Sequence, residues 1–150
     1  MDGRRALAIA FLVSCSTAGW AQPVVPVPLL PERFRWFGAP TNPKLRAAWV
    51  IGTESGQGPY LLRVRLARGG RIPVHTHPDA RHSTVLAGTL YVGFGAVADA
   101  SKLVAIPAGG VYVAPAHTPH YLWAKDGEVI YQESGTGPTA TVPVRSAPAP

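Results

Sequence analysis

Sixteen glycines and sixteen prolines are spread through this 150-residue chain. Beyond the first twenty-one residues, no stretch of ten or more between those breaks carries a helical period. Proline removes a backbone donor and clashes with the preceding helical turn, while glycine favours reversals. What remains is a series of short runs rich in β-branched and aromatic residues. Tyr60–Ala67 is the clearest, with Leu62, Val64 and Leu66 on one face and Leu61, Arg63 and Arg65 on the other. Further strands are expected over residues 33–37, 45–53, 103–106, 110–114, 121–123, 129–133 and 139–144, and a hairpin over 83–87 and 89–94 broken at Gly88. Many short strands separated by turn signals point to an all-β sandwich or barrel.

The first twenty-one residues read as an export signal. Arg4 and Arg5 precede an apolar run from Ala6 to Val13, and Gly19-Trp20-Ala21 ends in the small residues that a signal peptidase reads. Leu12-Val13-Ser14-Cys15 offers an alternative, a lipobox with Cys15 lipidated. Either reading places the chain in the periplasm or outside the cell, and no other run is long enough for a transmembrane span. Cys15 is the sole cysteine, so cleavage after Ala21 leaves no disulfide, thiolate ligand or cysteine nucleophile. The expected organisation is a signal over 1–21, an extended proline-rich arm and first strand over 22–44, one domain over 45–144 and a disordered tail over 145–150. The formal charge of +6 comes from dispersed arginines rather than a basic run. That favours a solvated basic surface over nucleic-acid binding.

Three of the five histidines fall within His75-Thr76-His77-Pro78-Asp79-Ala80-Arg81-His82, and His117 and His120 form a second cluster. Histidines one residue apart on a strand share a face. A third from a distant strand would complete one side of a coordination sphere, and imidazole suits zinc, copper, iron and nickel.

Two stretches carry a resemblance to a known family. In Gly70–Gly88, His75 and His77 form a His-x-His, Arg81 stands where a glutamate is usual, and Gly88 closes the segment. Gly109–Ala124 contains Pro115, His117 in place of a glycine, His120 at a ligand position and Ala124 in place of an asparagine. Together they resemble the two motifs of the cupins, and residues 52–138 are similar to small, exported, single-domain cupins. The resemblance implies a jelly-roll β-barrel that binds one divalent metal (iron, manganese, zinc or nickel) through His75, His77 and His120. It also implies a small-molecule ligand and a homodimer, but it leaves activity open, because this fold hosts isomerases, dioxygenases, decarboxylases and non-catalytic binders.

Arg81 departs most from the pattern. Guanidinium offers no lone pair and does not deprotonate. Facing the metal from about 5 Å, it would repel each unit of metal charge by about 3 kcal/mol at an effective dielectric of 20. It is therefore expected either to swing away or to neutralise an anionic ligand. His82 is a candidate replacement ligand only if a bulge turns it inward, since strand parity sets it opposite to position 81. His117 is expected beside the site and Asp79 in solvent. Gln132 is expected to line the barrel with Glu133 facing away, and Tyr91 and Tyr112 to line the ligand space, alongside Phe94, Tyr121 and Trp123. The resulting expectation is a metal-dependent oxygenase-type enzyme acting on a small anionic molecule. The alternative is a non-catalytic cupin in which Arg81 holds a carboxylate.

Overall fold

The computed structural model describes residues 28–145. The expected export signal, the start of the proline-rich arm and the residues beyond 145 lie outside them. The strands are β1 (Phe37–Ala39), β2 (Asn42–Ile51), β3 (Gly58–Leu66), β4 (Arg71–Thr76), β5 (Arg81–Ala87), β6 (Thr89–Phe94), β7 (Val104–Pro107), β8 (Val111–Ala114), β9 (His120–Trp123), β10 (Val129–Gly137) and β11 (Val142–Pro143). They form two antiparallel sheets. One has six strands in the order β1-β2-β3-β10-β5-β8, the other five in the order β11-β4-β9-β6-β7. Among the described residues no helix is long and apolar enough to cross a membrane.

The two sheets pack their inner faces together, as expected of a jelly-roll barrel. Period-two alternation sorts the side chains. Val64 and Leu66 on β3, Val85 on β5 and Val129 and Tyr131 on β10 meet Leu90 and Val92 on β6 and Leu122 on β9. Leu66, Val85, Leu90 and Val129 have no exposed surface at all. Fully burying such a side chain stabilises the fold by about 1.5–3 kcal/mol. The buried polar residues His75, His77, Arg81, His120, Glu133 and Thr139 gather in one group, which forms the polar end of the barrel.

Three expectations change. Residues 83–87 and 89–94 form no hairpin. β5 pairs with β10 and β8, whereas β6 pairs with β7 and β9 in the opposite sheet. Gly88, with φ of +76°, is the corner where the chain passes between sheets, and a Cβ there would strike the Glu128 carbonyl. Residues 33–36 are not a strand, which begins only at Phe37: a short 3-10 turn over Pro31–Arg33 leads to Phe34 and Trp36, whose rings pack 6.5 Å apart. The strand expected over 139–144 shrinks to Val142–Pro143, which frees Thr139 and Ala140 for the polar end of the barrel.

Candidate metal centre

β4 and β9 are neighbours in the five-stranded sheet, and their register sets His75 directly opposite His120. His77 lies one residue beyond the end of β4 and turns the same way as His75. All three are buried, with relative exposures of 4%, 3% and 1% for His75, His77 and His120. Their ring centroids lie 4.2 to 5.1 Å apart, and one ring nitrogen from each falls within 4.8 Å of the others.

Each Nδ1 is committed to a main-chain carbonyl: His75 to Pro73 at 2.8 Å, His77 to Ala140 at 2.7 Å, and His120 to Thr118 at 2.9 Å. A carbonyl only accepts, so each Nδ1 carries the proton and donates. Each Nε2 is left with its lone pair. His77 Nε2 is buried without any hydrogen-bond partner. An orphaned buried acceptor is unfavourable unless something occupies it. Three preset Nε2 lone pairs, with their tautomers fixed by backbone acceptors, are the donor set that zinc, iron, nickel or copper takes. The residues therefore fit a divalent metal held by three neutral imidazoles, without a carboxylate among the ligands.

Burial penalises the charged imidazolium. It lowers the pKa of His75 to about 4, with His120 adding to the effect, and that of His77 to about 3, with the Arg81 charge adding. Burial also lowers that of His120. The ordinary value is 6.5. Below it the unfolded chain takes up protons that the folded chain refuses. In metal-free protein this contribution to stability is complete above pH 6.5. It should be lost as pH falls towards 4 and 3, at about 1.4 kcal/mol per pH unit for each histidine. Urea unfolding of chelated protein at pH 7.5, 6 and 5 measures that slope, and a flat profile would show that the histidines are solvated.

Arg81 does face the barrel interior, where it is 4% exposed. It neither swings away nor stands free for a ligand. Its NH1 donates to the Glu133 carboxylate, and its NH2 donates to Thr139 Oγ1 at 2.8 Å and to the Ala140 carbonyl at 3.4 Å. Asp79 lies 3.8 Å from its Nε. Burial works against the guanidinium charge, but Glu133 first, then Tyr60 and Asp79, offset it and leave its pKa above the ordinary value. The Ala140 carbonyl thus accepts from both His77 and Arg81. One short segment ties the metal ligands to the ion pair.

Glu133 is the residue that sequence reasoning put on the wrong face. It pairs in register with Ser83 on β5. Arg81 lies two residues along the same inner face, in diagonal contact range. Glu133 is 3% exposed. Gln132 points outward instead, where Arg63 NH2 donates to its Oε1 at 2.8 Å. Its expected place in the barrel goes to its neighbour, because β10 buries Val129, Tyr131 and Glu133. Asp79 is also misjudged as solvated. It accepts from Tyr60 Oη at 2.6 Å and from Thr139 Oγ1 at 2.5 Å, and burial followed by that bond to Asp79 raises the Tyr60 pKa.

His82 is exposed and opposes Ser134 and Val113 along the outer face, so it does not join the other three histidines. No bulge falls there, and parity decides. His117 has the left-handed φ of +60° that its motif position would give a glycine. Its amide donates to the His77 carbonyl at 2.7 Å while its side chain is exposed. Tyr112 is buried opposite Ser83, with its hydroxyl unpartnered and its ring 6.5 Å from Phe94. Phe94 in turn lies 6.2 Å from His120, so these two aromatics wall the histidine side. Tyr91 is elsewhere: it faces out, donating to Asp126 beneath the Lys125 ammonium.

No protein-family model matches the chain. It is 35% identical over 81 residues to germin-like protein 3-1 of Oryza sativa subsp. japonica, covering 53% of this chain and 36% of that one. It is 34% identical over 98 residues to auxin-binding protein ABP19a of Prunus persica, covering 64% and 42%. The chain thus spans about two fifths of the length of these relatives. Among solved structures, the polyketide cyclase RemF from Streptomyces resistomycificus superposes with a TM-score of 0.68 at 13% identity, covering 83% of this chain and 89% of that one. An RmlC-like cupin from Shewanella frigidimarina gives 0.58 at 17% identity, covering 71% and 86%. An oxalate oxidase gives 0.50 at 27% identity, covering 58% and 46%.

Proposed function

We propose that this chain, whose fold is similar to that of an RmlC-like cupin, is a member of the cupin superfamily and an exported metal-dependent enzyme of the oxygenase type that acts on a small molecule. The observation that carries the reading is the set of three buried Nε2 lone pairs, each fixed by a carbonyl bond behind it. The likeness to an oxalate oxidase supports an oxygen-using activity. The leader-like residues 1–21 support export.

When bound, a divalent metal supplies Lewis-acid activation and open coordination positions. The chain's own residues set the conditions for it. The backbone carbonyls of Pro73, Thr118 and Ala140 hold the three imidazoles neutral and oriented. Arg81 donates to the Glu133 carboxylate and holds it turned to itself, so no carboxylate joins the three histidines. Phe94 places its ring beside His120, with Tyr112 behind it. A cupin that instead holds a carboxylate on Arg81 has less support, because Glu133 already occupies that guanidinium.

An oxygen electrode tests the reading. Protein reloaded with iron or manganese is expected to consume oxygen with at least one member of a panel of small alcohols, phenols and carboxylates, and His75→Ala to consume none. Protein that carries metal stoichiometrically yet consumes no oxygen across the panel would contradict the enzyme reading.

A further inference from the structure

A cavity of about 200 Å³ lies between the six-stranded sheet and β4, with His75, Arg81 and Glu133 in its lining. Its walls are apolar, and Trp49, Leu62, Val64 and Tyr131 contribute much of them. Glu54, in the turn after β2, also lines it. The three-histidine cluster reaches this space through His75 alone, so the cavity is a chamber beside the candidate metal centre rather than the centre itself. We infer that this chamber takes an uncharged, mainly apolar molecule the size of a substituted single ring, whose hydroxyl or amide N–H is accepted by Glu133. The substrate identity rests on the proposed function, but the chamber's selectivity does not.

Three observations lead there. A cavity of about 150 Å³ lined by apolar side chains accepts benzene, so about 200 Å³ admits one ring with a substituent. The cation in its lining is already matched. Arg81 donates to Glu133 and Thr139, with Asp79 3.8 Å from its Nε. An anion in the chamber would be a third negative group around one guanidinium, and a buried charge without a partner of its own is strongly disfavoured. A buried organic cation finds no free acid beside it either, since Arg81 holds Glu133 and Glu54 is exposed to solvent. What Glu133 does keep is acceptor capacity, because a carboxylate has about four lone-pair sites and Arg81 NH1 uses one. A neutral O–H or N–H fits that remainder.

Calorimetry with three isosteric probes tests this: benzyl alcohol, benzoate and benzylammonium at pH 7, on full-length protein both chelated and zinc-loaded. In chelated protein benzyl alcohol is expected to bind at least about tenfold more tightly than either charged probe, a difference one unmatched buried charge readily supplies. Ala47→Leu, which fills part of the chamber from β2, should weaken benzyl alcohol binding by about tenfold or more without lowering the melting temperature. If that variant does not fold, Val64→Leu serves in its place. Benzoate or benzylammonium binding as tightly as the alcohol would overturn the inference. So would unchanged alcohol affinity in both filled variants when they are folded. Zinc that leaves every probe's affinity unchanged and fails to bind would count against the metal centre only, so the two readings fail separately.

Discussion

Replacing Glu133 with alanine should lower the stability of the domain by about 3–5 kcal/mol, a large share of the 5–15 kcal/mol by which a domain this size is stable. Arg81 and Glu133 are 4% and 3% exposed and face each other across β5 and β10. Arginine does not shed its proton. Without the carboxylate the guanidinium stays charged among Tyr60, Thr139 and the barrel wall, with Asp79 a distant partner at 3.8 Å. The double change Arg81→Met with Glu133→Leu removes both charges and is expected to recover most of the loss, since apolar replacements of a buried pair are often neutral or better. Urea unfolding of the two single variants and the double one gives the coupling directly. A Glu133→Ala loss below about 1 kcal/mol, the level of an exposed pair, would show that the pair is solvated.

The second large effect concerns the histidines. Substituting His120 with alanine should weaken metal binding by at least about 100-fold. Even residues that only orient a ligand are worth 10–100-fold, and His120 offers its own nitrogen to the cluster. The loss should be specific. His120 is not itself a member of the apolar cluster around Leu66, Val85 and Leu90. The variant is therefore expected to fold and to keep its strand content by circular dichroism. Retention of wild-type affinity in a folded His120→Ala protein would mean that the metal is held elsewhere.

The fold was legible because two signals agree. Glycine and proline leave room only for short strands, and Leu62, Val64 and Leu66 alternate cleanly with Leu61, Arg63 and Arg65, as the burial of Val64 and Leu66 bears out. What misled was local pairing. Residues 83–87 and 89–94 look like a hairpin around one glycine, but Gly88 turns a corner between sheets, and a corner and a hairpin share the same local signature. His75 and His77 were legible from their spacing on one strand, and His120 from the resemblance to the second cupin motif. Glu133 was missed although a signal existed. Val129 and Tyr131 are apolar and share its parity, so if they face the core, Glu133 does as well. Asp79 carried no such signal. Its burial depends on Tyr60 and Thr139, which lie 19 and 60 positions away. The replaced acid of the first motif thus has a compensating acid on another strand, and only strand register reveals it.

The most direct measurement is the metal content of tag-free protein, after chelation and then after repletion with iron, manganese, zinc and nickel in turn, read by elemental mass spectrometry. Three preset Nε2 donors predict one metal per chain with at least one of the four, lost in His75→Ala and in His120→Ala. Folded wild-type protein that stays metal-free under all four would contradict the account.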